Sequence, residues 1–210
     1  MTNYQTEYRR SLEDPESYWA EQAGQVAWFQ SPVNILSKDA NGNDAWFADG
    51  ELNSSYLALD HQIEQGRGEQ SALIYDSPGT CSSANYTFVE LRDEVAKLAG
   101  MLAGLGVTKG DRVIIYMPMI PQAAFAMLAC ARIGAIHSVV FGGFAAKELA
   151  TRIDDAAPKV ILAASCGIEF TNIIEYKPLI DEAIEIAEHS IEHCVVWQRE
   201  QSTASLGEPR

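Results

Sequence analysis

The stretch "DRVIIYMPMIPQAAFAMLACARIGAIHSVVFGGF", Asp111 to Phe144, decides the fold. Its opening, "DRVIIYM", and the later "AIHSVVF" are short apolar runs rich in β-branched residues, and both read as strands. Their apolar residues are consecutive rather than alternating, the pattern of strands covered on both faces. Between them, "PQAAFAMLACARIG" starts on a proline, ends on Gly134 and has the length of a helix. It is apolar nearly all round, so it needs cover on every side and belongs near the centre. Strand, helix and strand in this order make a right-handed crossover and a parallel pair.

The pattern continues downstream. "AAKELATRIDDAA" reads as a helix, "KVILAA" as a strand, "KPLIDEAIEIAEH" as a helix and "EHCVVWQ" as a fourth strand. The expected class is therefore α/β: a doubly wound, mostly parallel sheet with helices on both faces. Upstream, "SALIYD" and "NYTF" are short strand candidates joined by the loop "SPGTCSSA". Thr87 and Glu90 then form a capping box. Behind it Phe88, Leu91, Val95, Leu98, Leu102 and Leu105 recur at helical steps, and Gly106 closes the helix.

The first 50 residues differ in character, being rich in aromatics, Asn and Asp. Asp14 and Pro15 mark the start of a helix in "DPESYWAEQA", and "SKDANGNDAWFADGELNSS" reads as loop. Two parts are expected: residues 1–50 as an extension packed on the main domain, and residues 51–210 as an α/β subdomain.

Composition narrows the partners. The chain has 15 Lys and Arg against 29 Asp and Glu, a formal charge of −14. Nucleic acid and anionic membranes are disfavoured, because both need a basic surface. A small anionic ligand is not, since local backbone N–H groups suffice for it. There is no run of about 18 apolar residues, the length a membrane-spanning helix needs. The opening "MTNYQTEYRRSLEDPESYW" has no hydrophobic signal core, and Cys81, Cys130, Cys166 and Cys194 lie far apart. A reduced, cytoplasmic setting is expected. Cys130 and Cys194 sit among apolar residues and read as small hydrophobes.

Few residues carry visible chemistry. Gly142-Gly143 follows a parallel strand at its carboxyl end, where ligands gather in open α/β sheets. A glycine pair lets a ligand approach bare backbone, or simply makes a turn. The segment is not G-x-G-x-x-G, so the dinucleotide fingerprint is missing. "SPGTCSS" has phosphate-loop residues but no Lys and no following helix, and reads as a turn. "HSIEH", His189 to His193, matches an inverted zinc-protease pattern in letters alone. It straddles a helix end and a strand start, whereas a metal site needs it on one helix. His137 reads as a hydrogen-bonded core histidine. Asp181, Glu182, Glu185, Glu188 and Glu192 read as a solvated helix face, and Lys147, Arg152 and Lys159 as surface cations. No Ser/His/Asp arrangement stands out, so the sequence offers no catalytic residue and no metal ligand set.

Several stretches together resemble a known family. They are "DPESYW", "WFADGELNSSYLALD", "LATRIDDAAPKVILAAS" and the long run from "YTFVELRDEVAKLAG" to "HSVVFGGF". These are similar to the short-chain acyl-CoA synthetases, the acetyl- and propionyl-CoA synthetase group of the adenylate-forming enzymes. The resemblance spans about Tyr8 to Trp197, and "GIEFTNIIEYKPLIDEAI" looks more like the propionyl branch.

The resemblance implies a two-step ligase. A carboxylate attacks the α-phosphorus of ATP with the help of Mg²⁺, and the CoA thiol then displaces AMP. The family's phosphate loop, T-S-G-T-T-G-x-P-K, does not occur in these residues, nor does its C-terminal catalytic lysine. The expectation is therefore an N-terminal portion, inactive alone, with ATP and Mg²⁺ sites outside it. The remaining part of the synthetase is then its partner, and apolar surface is exposed where more sheet should pack. The family's F-G-G-F segment touches the nucleotide part of CoA, and here that segment is Phe141, Gly142, Gly143 and Phe144. Ile174 matches an apolar position near the adenine. Where the acetyl branch places arginines for CoA, this chain has Glu169 and Asn172, neither of them a cation.

Overall fold

The computed structural model describes residues 3–170 and 172–207. The chain divides into two compact units, Met1–Asn53 and Ser54–Arg210.

In the first unit, helices α1 (Tyr4–Glu13) and α2 (Pro15–Ala23) meet at Asp14. The Asp14 carboxylate accepts from the Ser17 N–H at 3.2 Å and so caps α2, with Pro15 in the first helical position. The segment expected to be loop forms an antiparallel hairpin, β1 (Leu36–Lys38) with β2 (Asp44–Trp46). Asn41-Gly42 lies in its turn, with Gly42 at φ 84°. The strands are too short for alternation to be visible, and the turn residues alone carried the signal.

The second unit opens on α3 (Ser54–Ala58), α4 (Asp60–Gln62) and a wide turn over Ile63–Arg67. The hairpin β3 (Ser71–Ser77) and β4 (Ser82–Thr87) follows, its connection containing a 3₁₀ turn at Pro78–Thr80. "SPGTCSS" is thus a turn. The capping box at Thr87 and Glu90 forms as the spacing predicts and starts α5 (Phe88–Gly104). Gly106, at φ 80°, ends that helix run in the left-handed region.

The parallel sheet comes next: β5 (Arg112–Met117), α6 (Pro121–Arg132), β6 (Ile136–Phe141), α7 (Ala146–Ala156) and β7 (Val160–Ala164). A short antiparallel hairpin, β8 (Cys166–Glu169) with β9 (Asn172–Glu175), precedes α8 (Tyr176–Ile186) and β10 (His193–Trp197). The sheet order is β10-β7-β5-β6, with every neighbouring pair parallel. Helices α5 and α6 pack on one face against Val113, Ile115 and Leu162. Helices α7 and α8 pack on the other against Ile114, Ile161 and Ala163. The doubly wound arrangement follows from strands apolar on both faces, which need a helical layer on each side. Cover on every side of α6 is only partial: Pro121, Phe125, Ala126, Ala129 and Cys130 are buried, and the rest of the helix is half-buried.

Three expectations change. His137 is not a core histidine, because β6 is an edge strand and leaves it exposed. Cys194 is exposed on the opposite edge strand, β10, whereas Cys130 is buried. The third helix ends at Ile186, short of His189. The outer strand β6 carries apolar side chains into solvent, with Ile136 55%, Val139 53% and Phe141 71% exposed.

Candidate site at the carboxyl edge of the sheet

The order of the strands places a switch between β5 and β7. From β5 the chain crosses through α6 to β6 on one side, then through α7 back to β7 on the other. The carboxyl ends of the strands around such a switch form the crevice used for ligands in open α/β sheets. Three helices begin at this edge, and α6, α7 and α8 all lack a side-chain cap at their N-termini. Their positive dipole ends favour anions there.

The segment Phe141–Phe144 is a tight turn at this edge. The Phe144 N–H donates to the Phe141 carbonyl at 3.3 Å. Gly143 has φ 101°, the left-handed conformation that a type II turn requires at its third residue. Space explains the other glycine. A Cβ on Gly142 would lie 2.6 Å from the Tyr176 hydroxyl oxygen and 2.9 Å from the Met117 carbonyl oxygen. One glycine is thus required by conformation and the other by packing. On the outside, the Phe141 and Phe144 rings sit 5.6 Å apart at 50°, with Phe144 39% exposed.

Two tyrosines support the turn from within. Tyr116 on β5 is completely buried. Its hydroxyl donates to the Phe144 carbonyl at 2.8 Å and accepts from the Gly143 N–H at 3.2 Å. Tyr176, the first residue of α8, packs its ring 4.9 Å from that of Tyr116. Burial raises the pKa of both phenols, Tyr176 to about 12, so both stay neutral. The Tyr176 ring also fills the space over Gly167 on β8, where a Cβ would lie 2.2 Å from its hydroxyl oxygen. Gly167 pairs with Ile174 across the β8–β9 hairpin. Tyr176 therefore joins the hairpin that carries Ile174 to the glycine turn. Neither tyrosine stands out in the sequence. The available signal is a single polar-tipped residue inside the aliphatic run Val113–Met117, and a second one opening a helix.

Ile174 is half-buried against the α7–α8 side of the core. Glu169 and Asn172 flank the hairpin turn, and both are exposed. Phe170, next to Glu169, has φ 53°, in the left-handed region that non-glycine residues seldom adopt. Ser165 ties the hairpin to the sheet. Its hydroxyl donates to the Ser202 carbonyl at 2.6 Å and accepts from the Arg199 N–H at 2.9 Å, while its carbonyl accepts from the Tyr176 N–H at 3.0 Å. The Arg199 guanidinium donates to the Cys166 carbonyl at 2.9 Å.

His189 lies beyond α8 with Nε2 2.9 Å from the Pro158 carbonyl, while His193 opens β10, so "HSIEH" does not lie on one helix. Among the described residues no three His, Cys, Asp or Glu side chains form a metal site. The Lys159 ammonium donates to the Gly106 carbonyl at 2.7 Å and closes the α5 end. Lys147 and Arg152 on α7 are exposed, as are Asp181, Glu182, Glu185, Glu188 and Glu192. No helix among the described residues is long and apolar enough to cross a membrane. A separate apolar cavity of about 260 Å³ lies on the α5–α6 face, lined by Met101, Met117, Phe125, Leu162 and Trp197.

The model of the AMP-binding enzyme family matches residues 59–208, and that of the acetyl-coenzyme A synthetase N-terminus matches residues 4–58. The chain belongs to the AMP-binding enzyme family. Its relatives in that family include an uncharacterized protein of Pseudomonas aeruginosa, 64% identical over 97% of this chain and 32% of that protein. The propionate–CoA ligase of Escherichia coli is 47% identical over 91% of the chain and 30% of the ligase. The mitochondrial acyl-CoA synthetase short-chain family member 3 of Bos taurus is 49% identical over 93% of the chain and 29% of that protein. Among solved structures, the acetoacetyl-CoA synthetase from Streptomyces lividans superposes with a TM-score of 0.81 at 25% identity, covering 100% of this chain and 34% of that one. This AMP-binding family member therefore spans about a third of the length of the relatives it matches. The match is to an N-terminal portion of an acyl-CoA synthetase.

Proposed function

We propose that this chain is the CoA-contacting N-terminal part of an ATP-dependent ligase that makes propionyl-CoA through an acyl-adenylate. The observation that carries the reading is the Phe141–Phe144 turn. It presents two exposed aromatic rings on a backbone held from beneath, at the ligand edge of the sheet. Aromatic faces suit a purine, and stacking on them is worth about 1–3 kcal/mol per base. Ile174, on the hairpin joined to the turn through Tyr176, adds an apolar contact near the adenine. Exposed Glu169 and Asn172 bring no positive charge to the phosphates, so affinity rests on stacking and backbone donors.

Propionate rather than acetate is supported by "GIEFTNIIEYKPLIDEAI" and by the name of the Escherichia coli relative. ATP, Mg²⁺ and the acyl carboxylate are assigned to no residue of this chain. A cytoplasmic location is supported by four unpaired cysteines.

Two measurements test the reading. CoA titrated calorimetrically into the chain is expected to bind, and Phe141→Ala to weaken binding by about tenfold. Equal affinity of the two chains refutes the contact. Pyrophosphate exchange into ATP with propionate is expected to be absent for the 210-residue chain. Robust exchange overturns the assignment of the ATP site to other residues.

A further inference from the structure

We infer that Tyr116 is a positioning residue whose hydroxyl fixes the outward aromatic pair of the Phe141–Phe144 turn in its ligand-receiving geometry. The inference rests on the CoA reading above and deepens it.

A buried phenol has one proton to donate and lone pairs that accept. Tyr116 spends both on the same two residues, accepting from Gly143 and donating to Phe144. The two bonds grip consecutive residues at the most deformable place in the turn, since Gly143 has positive φ and nothing within 4 Å of a would-be Cβ. Open space beside Gly143 means that side-chain packing does not hold it. The hydroxyl bonds and the Phe144-to-Phe141 hydrogen bond do. Tyr116 itself cannot drift, because its ring is enclosed in the α7–α8 core and packs on Tyr176. Rigidity therefore passes from the strand core to a surface turn through one oxygen atom. Holding a binding group in place before the ligand arrives lowers the ordering cost of binding.

Tyr116→Phe removes that oxygen and keeps the ring. Two measurements are made on the whole chain. Amide hydrogen exchange is expected to quicken by up to about tenfold at Gly143, the loss of one hydrogen bond, with β5 and α7 unchanged. CoA affinity is expected to fall by about the same factor, and the thermal midpoint by a few degrees, since the Gly143 N–H and the Phe144 carbonyl both lose their partner. Gly143→Ala disturbs the turn from its solvent side, leaves the core intact, and is expected to weaken CoA similarly. Slow exchange of the Gly143 amide in the unaltered chain, where the acceptor is the Tyr116 hydroxyl, keeps the inference testable if Tyr116→Phe does not fold, and unprotected exchange there overturns it.

Unchanged exchange at Gly143 overturns the clamp. Faster exchange with unchanged CoA affinity confines Tyr116 to a structural role and overturns positioning. If the unaltered chain fails to bind CoA, the CoA reading is lost, and the exchange measurement still decides the clamp.

Discussion

Gly142→Ala tests whether the glycine turn is dictated by packing. The added methyl would meet the Tyr176 hydroxyl oxygen at 2.6 Å, the Met117 carbonyl oxygen at 2.9 Å and the Met117 carbonyl carbon at 3.0 Å. Tyr176 is 2% exposed and held in the core, and Met117 is the last residue of a strand paired on both sides. Neither can yield cheaply. Overpacking of this kind costs about 1–3 kcal/mol, and the backbone contact places this case near the upper end. For a unit of this size, that is a fall of roughly 6–12 °C in thermal midpoint. Two other glycines calibrate the result. Gly143→Ala meets no atom within 4 Å but keeps φ 101°, a strain of about 1–2 kcal/mol. Gly100→Ala, exposed inside α5 with nothing within 4 Å, gains about 0.5–1 kcal/mol. Thermal and urea melts followed by circular dichroism should therefore rank Gly100→Ala above the unaltered chain, Gly143→Ala below it and Gly142→Ala lowest. Combining Gly142→Ala with Tyr176→Phe removes the phenol clash but not the Met117 one, so less than half the loss should return. A Gly142→Ala chain as stable as Gly143→Ala would refute the packing argument. Full recovery with Tyr176→Phe would place the whole clash on the phenol.

The capping box makes a pH prediction. Hydrogen bonds from the Thr87 N–H and hydroxyl hold the Glu90 carboxyl below its ordinary value of 4.5. A depressed folded pKa stabilises above the unfolded value, and that contribution is lost as pH falls through the folded one. The stability gap between the unaltered chain and Glu90→Gln should be open at pH 7 and close below the ordinary carboxylate range. A gap independent of pH refutes the assignment. Cysteine labelling with a maleimide, read by mass spectrometry, should modify exposed Cys81 in the native chain. It should spare Cys130 until unfolding, because burial raises that thiol to about 11. Fast native labelling of Cys130 would contradict the packing of α6.

Much of the fold is legible because the sheet strands are apolar on both faces. Arg112–Met117 and Val160–Ala164 need no tertiary information to be read as buried parallel strands, and the strands that follow them lie where the pattern puts them. The Thr87 capping box is equally local. The short hairpins were not legible. β1 and β2 have three residues each, and β8 and β9 four, too few for a period of two to register. His137 was misread for a related reason. A parallel strand's sequence does not say whether it lies inside a sheet or at its edge, and β6 lies at the edge.

At the candidate site, the sequence determined the turn, its place after a parallel strand and the two flanking phenylalanines. Only the tertiary structure decided why each glycine is needed. Gly143 answers to its own φ, whereas Gly142 answers to Tyr176 and Met117, which are distant in sequence. The pairing of Tyr116 with Gly143 and Phe144 likewise spans 27 and 28 residues and depends on β5 lying beside β6. Local conformational preferences are written residue by residue, but close approach between a strand, a turn and a helix start exists only once the sheet order brings them to one edge.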